Sequence, residues 1–214
     1  MKKSLGIFLS SLLSGFCITI GASIYLVALS KGAQITGAFL FGIGLFTIIH
    51  FGLWLYTGKV GHTLDNKPKY ILDLIICLVG NLIGVILLAL VIKYTRTGEV
   101  LINASKPIVE AKQNDSWYSI LLLSMLCGFM IYIACVGHKK CEYPIGKALF
   151  AFLPIVGFIL CGFEHVVANA CYYTYAGVFN GKVVLNFFIM AIGNGFGAIM
   201  LDGLFKLTNH LNKE

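Results

Sequence analysis

The sequence predicts an all-α integral membrane protein of six transmembrane helices, arranged as two three-helix repeats of opposite orientation with broken second and fifth helices. Three observations carry this prediction. Of 214 residues, 58% are hydrophobic and only 12% are charged, with a mean hydropathy of +0.89, far from the composition of a soluble globular chain. Apolar runs recur along the whole length, each long enough to cross about 30 Å of hydrocarbon as a helix. The sequence Gly-Asn-x-x-Gly also occurs twice, as Gly80-Asn81-Leu82-Ile83-Gly84 and as Gly193-Asn194-Gly195-Phe196-Gly197, about 113 residues apart. No stretch is left for a soluble domain, so a single membrane domain is expected over residues 1–214, with repeats of about 1–110 and 111–214.

The first apolar run, from about Leu5 to Leu29, follows the basic head Met1-Lys2-Lys3. It is too long for the apolar core of a signal peptide, about 7–15 residues, and reads as a spanning helix. Ser11, Gly15, Thr19 and Ser23 recur every four residues on it and form a narrow face of small side chains, as expected where membrane helices pack closely. The second run, Ala33 to Leu55, ends in Trp54-Leu55-Tyr56-Thr57-Gly58; a polar segment from Lys59 to Lys69 precedes the third run, Tyr70 to Tyr94. Thr95 to Ser116 is the longest polar connection, and apolar runs then resume at Trp117–Val136, Ile145 to about Tyr175, and Val183–Leu207.

The net charge is +7, but the basic residues are scattered between apolar runs and make no stripe for nucleic acid. Membrane topology explains them better. With the N-terminus in the cytoplasm, ten of the sixteen Lys and Arg fall on the inner side, Lys2, Lys59, Lys139 and Lys147 among them, which places both termini inside. The seven cysteines mostly sit in apolar runs without Cys-x-x-Cys pairing, as reduced core fillers do.

Aligning the repeats brings the Tyr56-Thr57-Gly58 interruption close to Gly162-Phe163-Glu164-His165. Three helices plus three helices must run in opposite senses across a membrane, and interrupted helices in matching positions of such repeats mark a binding site or pore between them. Freed backbone at membrane depth is tolerable only where protein or a watery cavity surrounds it, and the N-terminus of a half-helix offers N–H groups to an anion. The second interruption also carries Glu164, His165 and Asn169 inside an apolar run, a costly placement that usually marks a substrate path or proton relay.

Gly162-Phe163-Glu164-His165-Val166-Val167-Ala168-Asn169 resembles the Gly-Phe-Glu-His-x-x-Ala-Asn signature of the formate/nitrite transporter family. Leu55-Tyr56-Thr57-Gly58 resembles that family's Leu-Phe-Thr-Gly loop, with Tyr replacing Phe, and both Gly-Asn-x-x-Gly motifs fit. The resemblance covers nearly the whole chain and is greatest to the hydrosulfide channels of anaerobic bacteria. It implies an aquaporin-like fold, a homopentamer in the bacterial inner (cytoplasmic) membrane, and one pore per protomer with His165 at its midpoint. Phe41, Leu45 and Phe158 would form the cytoplasmic slit, and Leu55, Tyr56 and Ile131 the outer one. Thr57 would hydrogen-bond His165 or the passing substrate, and Lys112 would stand at the outer mouth. Formate channels usually carry an asparagine where this chain has Gly128, so a more open vestibule suited to HS⁻ is expected. Formate or nitrite, by a channel or a proton-coupled transporter, is the alternative.

The residues themselves allow two mechanisms. A buried histidine is disfavoured as a cation and is expected to be neutral at rest, yet it can pass a proton near neutral pH. Transient protonation of the anion near His165 would lower its barrier at the apolar slits; alternatively, His165 only donates a hydrogen bond. Glu164 is either a proton partner or a cap on the second half-helix. Asn169, four residues after His165, is expected to tie the break to the opposite half, His50 to be a packing or interfacial residue, and Met1 to Leu9 to gate the inner mouth with pH. No His-Glu-x-x-His, Gly-x-Ser-x-Gly or phosphate-binding glycine loop occurs, so neither an enzyme nor a metal or cofactor is expected. The expected partners are a small monovalent anion and membrane lipid.

Overall fold

A computed structural model describes residues 2–213; Met1 and Glu214, the ends of the expected 1–214 domain, lie outside the described residues. The described residues are helical without strands: α1 (Lys2–Ser30), α2 (Gln34–His50), α3 (Tyr56–Lys59) leading into a 3-10 segment (Val60–Asp65), α4 (Tyr70–Lys93), α5 (Gly98–Asn114), α6 (Trp117–Lys140), α7 (Pro144–Leu160), α8 (Val166–Ala176) and α9 (Gly181–Leu211). Helices α1, α4, α6 and α9 are long and apolar enough to cross a membrane, whereas α2 and α7 are apolar but stop at 17 residues.

Both short helices stop for the same reason. Gly52 and Gly162 follow their ends with φ of +64° and +67°, a left-handed conformation that glycine adopts without the cost other residues incur. The first interruption therefore spans Phe51 to Leu55, and Tyr56-Thr57-Gly58, expected to be the break itself, opens the next helix. The second divides the Ile145–Tyr175 run over Cys161 to His165.

The expected polar connection after α4 is instead a helix. Its buried residues, Gly98, Leu101, Ser105, Val109 and Lys112, follow the three- and four-residue spacing of one helical face. That face brings Lys112 inward against α8.

Helix α1 packs on α4 and α6 packs on α9. Ser11, Gly15 and Thr19, from the expected small-residue face, are fully buried in the first of these contacts. A Cβ on Gly15 would lie 2.5 Å from the Asn81 carbonyl oxygen, and one on Gly128 would collide with that of Asn194. Both pairs are related by the 113-residue offset of the sequence motif. Gly128 is thus the second-half counterpart of Gly15, a point of backbone contact between helices, and the open vestibule expected of it has no basis in this packing.

Candidate functional site

Two asparagines build the breaks. Asn81 Oδ1 accepts the Tyr56 N–H at 2.8 Å while its Nδ2 donates to the carbonyls of Ser11 (2.8 Å) and Trp54 (2.9 Å). Asn194 Oδ1 accepts the Val166 N–H at 3.0 Å while its Nδ2 donates to the carbonyls of Ser124 (2.8 Å) and Glu164 (2.7 Å). An amide side chain has two N–H donors and one acceptor oxygen. Each asparagine thus engages all three in one bracket of long helix, break and half-helix, satisfying backbone groups that the interruption exposes. The sequence shows these residues as repeat markers; their structural work depends on backbone groups that only the fold brings near.

The same brackets set the correspondence between the halves. Trp54 stands where Glu164 does, and Leu55 where His165 does, each immediately before a half-helix. The first break is therefore lined by apolar residues and the second by ionisable ones.

His165 is 2% exposed. Its Nδ1 accepts the Ala168 N–H at 3.0 Å, capping α8, so that nitrogen carries no proton and the ring is the neutral Nε2–H tautomer. Nε2 lies 2.9 Å from Thr57 Oγ1 and donates to it, which joins the two half-helices and leaves the Thr57 hydroxyl hydrogen free to donate elsewhere. The His165 ring stacks on Phe158 (5.8 Å, 23°), and Phe158 meets Phe41 edge-on (5.9 Å, 87°).

Glu164 does not cap the half-helix. Both its oxygens accept from Lys112 Nζ at 2.7 Å, and Oε2 also accepts from Asn169 Nδ2 at 2.5 Å. A carboxylate committed to a buried cation leaves the capping to His165. Asn169 stays within its own half, where Nδ2 also meets Met190 sulfur at 3.1 Å; ties between halves include Thr57–His165, the Tyr56 hydroxyl donating to the Ala191 carbonyl at 3.0 Å and the Ser23 hydroxyl with that of Tyr175 at 2.7 Å. Lys112 is 8% exposed and paired, so it is a buried member of the site and not a free charge at a mouth. The first turn of α8 likewise offers fewer free donors than expected, since the Val166 and Ala168 N–H groups are engaged.

Two cavities flank the Thr57–His165 contact. One, of ≈ 220 Å³, lies beside α5 and is lined by Gln34, Lys112, Phe158, His165, Asn169 and Tyr172, among others. The other, of ≈ 720 Å³, lies on the side of the chain termini, and its lining includes Leu45, Leu55, Lys59, His138, Lys139 and Lys147. Of the expected slit of Phe41, Leu45 and Phe158, Phe158 lines the α5-side cavity and Leu45 the terminus-side one with Leu55, while Phe41 meets Phe158 and lines neither. The reason is chain direction. Helix α2 starts at the end of α1 remote from the N-terminus, so its early residue Phe41 is nearer the α5 side than Leu45. Ile131 is buried in α6, and Tyr56 is half-buried with its N–H and hydroxyl both engaged.

Asp65 also lines the terminus-side cavity; Lys206 bridges it to Asp202, the latter at 2.5 Å, and Asp202 accepts the Tyr132 hydroxyl at 2.7 Å. The Lys206 hydrogen bond holds the exposed Asp65 carboxyl below the usual carboxylate range. No group of three or more metal-ligating side chains occurs among the described residues.

A family model described as "Formate/nitrite transporter" matches residues 2–208. The uncharacterized transporter YrhG of Bacillus subtilis (strain 168) is 26% identical over 197 residues, covering 85% of this chain and 74% of its own length. The formate channel FocA of Haemophilus influenzae is 24% identical over 182 residues, covering 76% of this chain; the chain spans 63% of that relative. Among solved structures, a pentameric formate channel with formate bound aligns with a TM-score of 0.84 at 19% identity over 98% of both chains. An "FNT family ion channel" aligns with a TM-score of 0.81 at 20% identity over 96% of this chain and 90% of that one. At these identities the solved structures show the fold.

Proposed function

The chain belongs to the formate/nitrite transporter family, and from that premise we propose that it is a channel for small monovalent anions, conducting between the two cavities past Thr57 and His165. The observation that carries this reading is the 2.9 Å contact of Thr57 Oγ1 with His165 Nε2, where two half-helices meet amid buried apolar side chains. In this reading α1, α4, α6 and α9 are four spans. The broken pairs, α2 with α3 and its 3-10 extension and α7 with α8, complete six in two inverted repeats of one channel domain. The lysine distribution places both termini in the cytoplasm, and the likeness to a pentameric channel supports a homopentamer in the bacterial cytoplasmic membrane.

The residues divide the task between them. Lys59, Lys139 and Lys147 make the terminus-side cavity attractive to anions. Phe41 with Phe158, and Leu45 with Leu55, Tyr56 and Ile131, are the two apolar constrictions that exclude hydrated cations. On the α5 side, Glu164 neutralises Lys112, and Asn169 shares that carboxylate; the pair holds the second break in shape. At the midpoint the Thr57 hydroxyl, polarised by the His165 Nε2–H that it accepts, supplies the donor to an anion that has shed water. With Nδ1 occupied by the Ala168 N–H, loss of the Nε2 proton would leave an imidazolate. His165 therefore acts as a hydrogen-bond donor, and any proton the anion takes comes from cavity water.

Of the two grounds for hydrosulfide, the resemblance to hydrosulfide channels and an open vestibule at Gly128, the second falls because Gly128 lies in a helix contact. Formate, the substrate named for FocA, is accordingly the substrate proposed, ahead of nitrite and hydrosulfide. Initial uptake of the three anions into protein-containing and empty liposomes across a pH series tests this. Formate entry above the empty-vesicle rate, and faster than hydrosulfide, is expected; faster hydrosulfide entry would overturn the substrate, and no anion flux would overturn the channel.

A further inference from the structure

Two histidines at the terminus side of the molecule stand apart from the Thr57–His165 contact. His50 is the last residue of α2 and His138 lies two residues before the end of α6. Their ring centroids are 5.1 Å apart with the planes at 73°. His50 Nδ1 lies 2.9 Å from the Phe46 carbonyl oxygen, and His138 Nδ1 lies 3.0 Å from that of Lys147. A carbonyl oxygen only accepts, so in both neutral rings the proton is on Nδ1 and Nε2 presents a bare lone pair. Neither Nε2 hydrogen-bonds to any described residue. His50 is exposed, and half-buried His138 lines the larger cavity, so solutes reach both.

Nδ1–H held by a backbone carbonyl, with Nε2 left open, is the arrangement that fixes tautomer and ring orientation in metal-ligating histidines. We propose that His50 and His138 form a two-histidine site for a divalent transition-metal ion of the zinc, copper or nickel class, bound through both Nε2 atoms with water completing its coordination. Imidazole nitrogen favours these ions over magnesium or calcium. The spacing fits. A Zn–N bond of about 2.0–2.1 Å plus the ring radius puts each centroid about 3.2 Å from the ion, and a tetrahedral angle then separates the centroids by about 5.2 Å. Lys139 and Lys147 line the same cavity and oppose a cation, so the site is reversible in character. A bound ion ties the end of α2, immediately before the Phe51–Leu55 break, to the end of α6.

Copper(II) is the probe, added to the purified full-length protein and followed by electron paramagnetic resonance and by calorimetric titration. Neither readout depends on which anion is conducted, so failure here is distinguishable from failure of the channel reading. The expected result is one ion per protomer with nitrogen hyperfine structure from two imidazoles, and more than about a tenfold loss of affinity in either His50→Gln or His138→Gln, as removal of a ligand must cost more than removal of a group that only orients one. A copper signal and affinity unchanged in both variants, which places the ion at His62, His210 or a cysteine, would overturn the proposal, as would no binding by the native protein. Circular dichroism and pentamer size of each variant establish that a lost signal reflects the ligand and not the fold.

Discussion

The two breaks are built by the same backbone scheme and furnished with opposite side chains. Each has a left-handed glycine, an asparagine bracket from the last long helix of its half, and a half-helix starting at the bracketed N–H. Yet where the first presents Trp54 and Leu55, the second presents Glu164 and His165. The scaffold is thus a property of the repeat, whereas the chemistry belongs to one copy. Placing the ionisable residues on one side only requires one buried counter-charge, and Lys112 of the linker helix, which has no counterpart in either repeat, supplies it.

Changes to the bracket test the shared part of this comparison most severely. Asn81→Ala and Asn194→Ala each remove three hydrogen bonds and strand buried backbone groups, at about 1–3 kcal/mol for each group left unsatisfied. Both variants are expected to lose about 3–5 kcal/mol or to fail to assemble, by similar amounts as read from thermal unfolding of the purified protein. A large loss for one and none for the other would break the equivalence of the halves.

The unshared part predicts an asymmetry. Lys112→Met leaves Glu164 buried without its cation and is expected to cost about 3–5 kcal/mol. The double variant Lys112→Met, Glu164→Gln is expected to recover much of that, because no uncompensated charge remains. Trp54→Phe at the corresponding first-half position alters no ion pair and is expected to change thermal stability much less. Equal losses at the two positions would show that packing, and not charge, holds the second break.

Smaller effects sharpen the equivalence. Gly15→Ala and Gly128→Ala push a methyl group into the backbone of the partner helix and are each expected to cost about 1–3 kcal/mol, with no change in selectivity at Gly128. A selectivity change there without loss of stability would return the vestibule role to that position. Smallest is the surface pair of Asp65 with Lys206. A carboxyl held below its unfolded value stabilises the fold above that unfolded value, and this contribution is lost as pH falls through the folded one. Asp65→Asn is therefore expected to leave stability near neutral pH almost unchanged, within about 1 kcal/mol, and to flatten the acid limb of the stability profile.

How much of this was legible in the sequence depends on the distance over which each feature is set. Apolar length predicted the four long helices, and the duplicated Gly-Asn-x-x-Gly predicted the paired breaks, because both are local patterns. The end of α2 lies several residues before the expected Leu55, since a single left-handed glycine within an apolar run leaves hydropathy unchanged, whereas the second break falls within one residue of the expected Gly162–His165. Helix α5 was overlooked because its composition is polar, although Leu101, Ser105, Val109 and Lys112 already carry its period. The Thr57–His165 contact was anticipated from the family resemblance. The Lys112–Glu164–Asn169 cluster was not, because it depends on where the linker helix docks. Phe158 and Leu45 line different cavities, which depends on the direction in which α2 and α7 run and on no local pattern.

The proposed pore passes the point where the two breaks meet and needs the polar furnishing of the second. The direct measurement is formate uptake into liposomes by His165→Leu, which gives the second break the residue of the first, compared with the native protein at equal amounts of intact assembled protein. The account predicts a fall in initial rate of about tenfold or more, the equivalent of losing roughly 1.4 kcal/mol at the barrier. A variant that assembles normally and conducts formate at the native rate would contradict it.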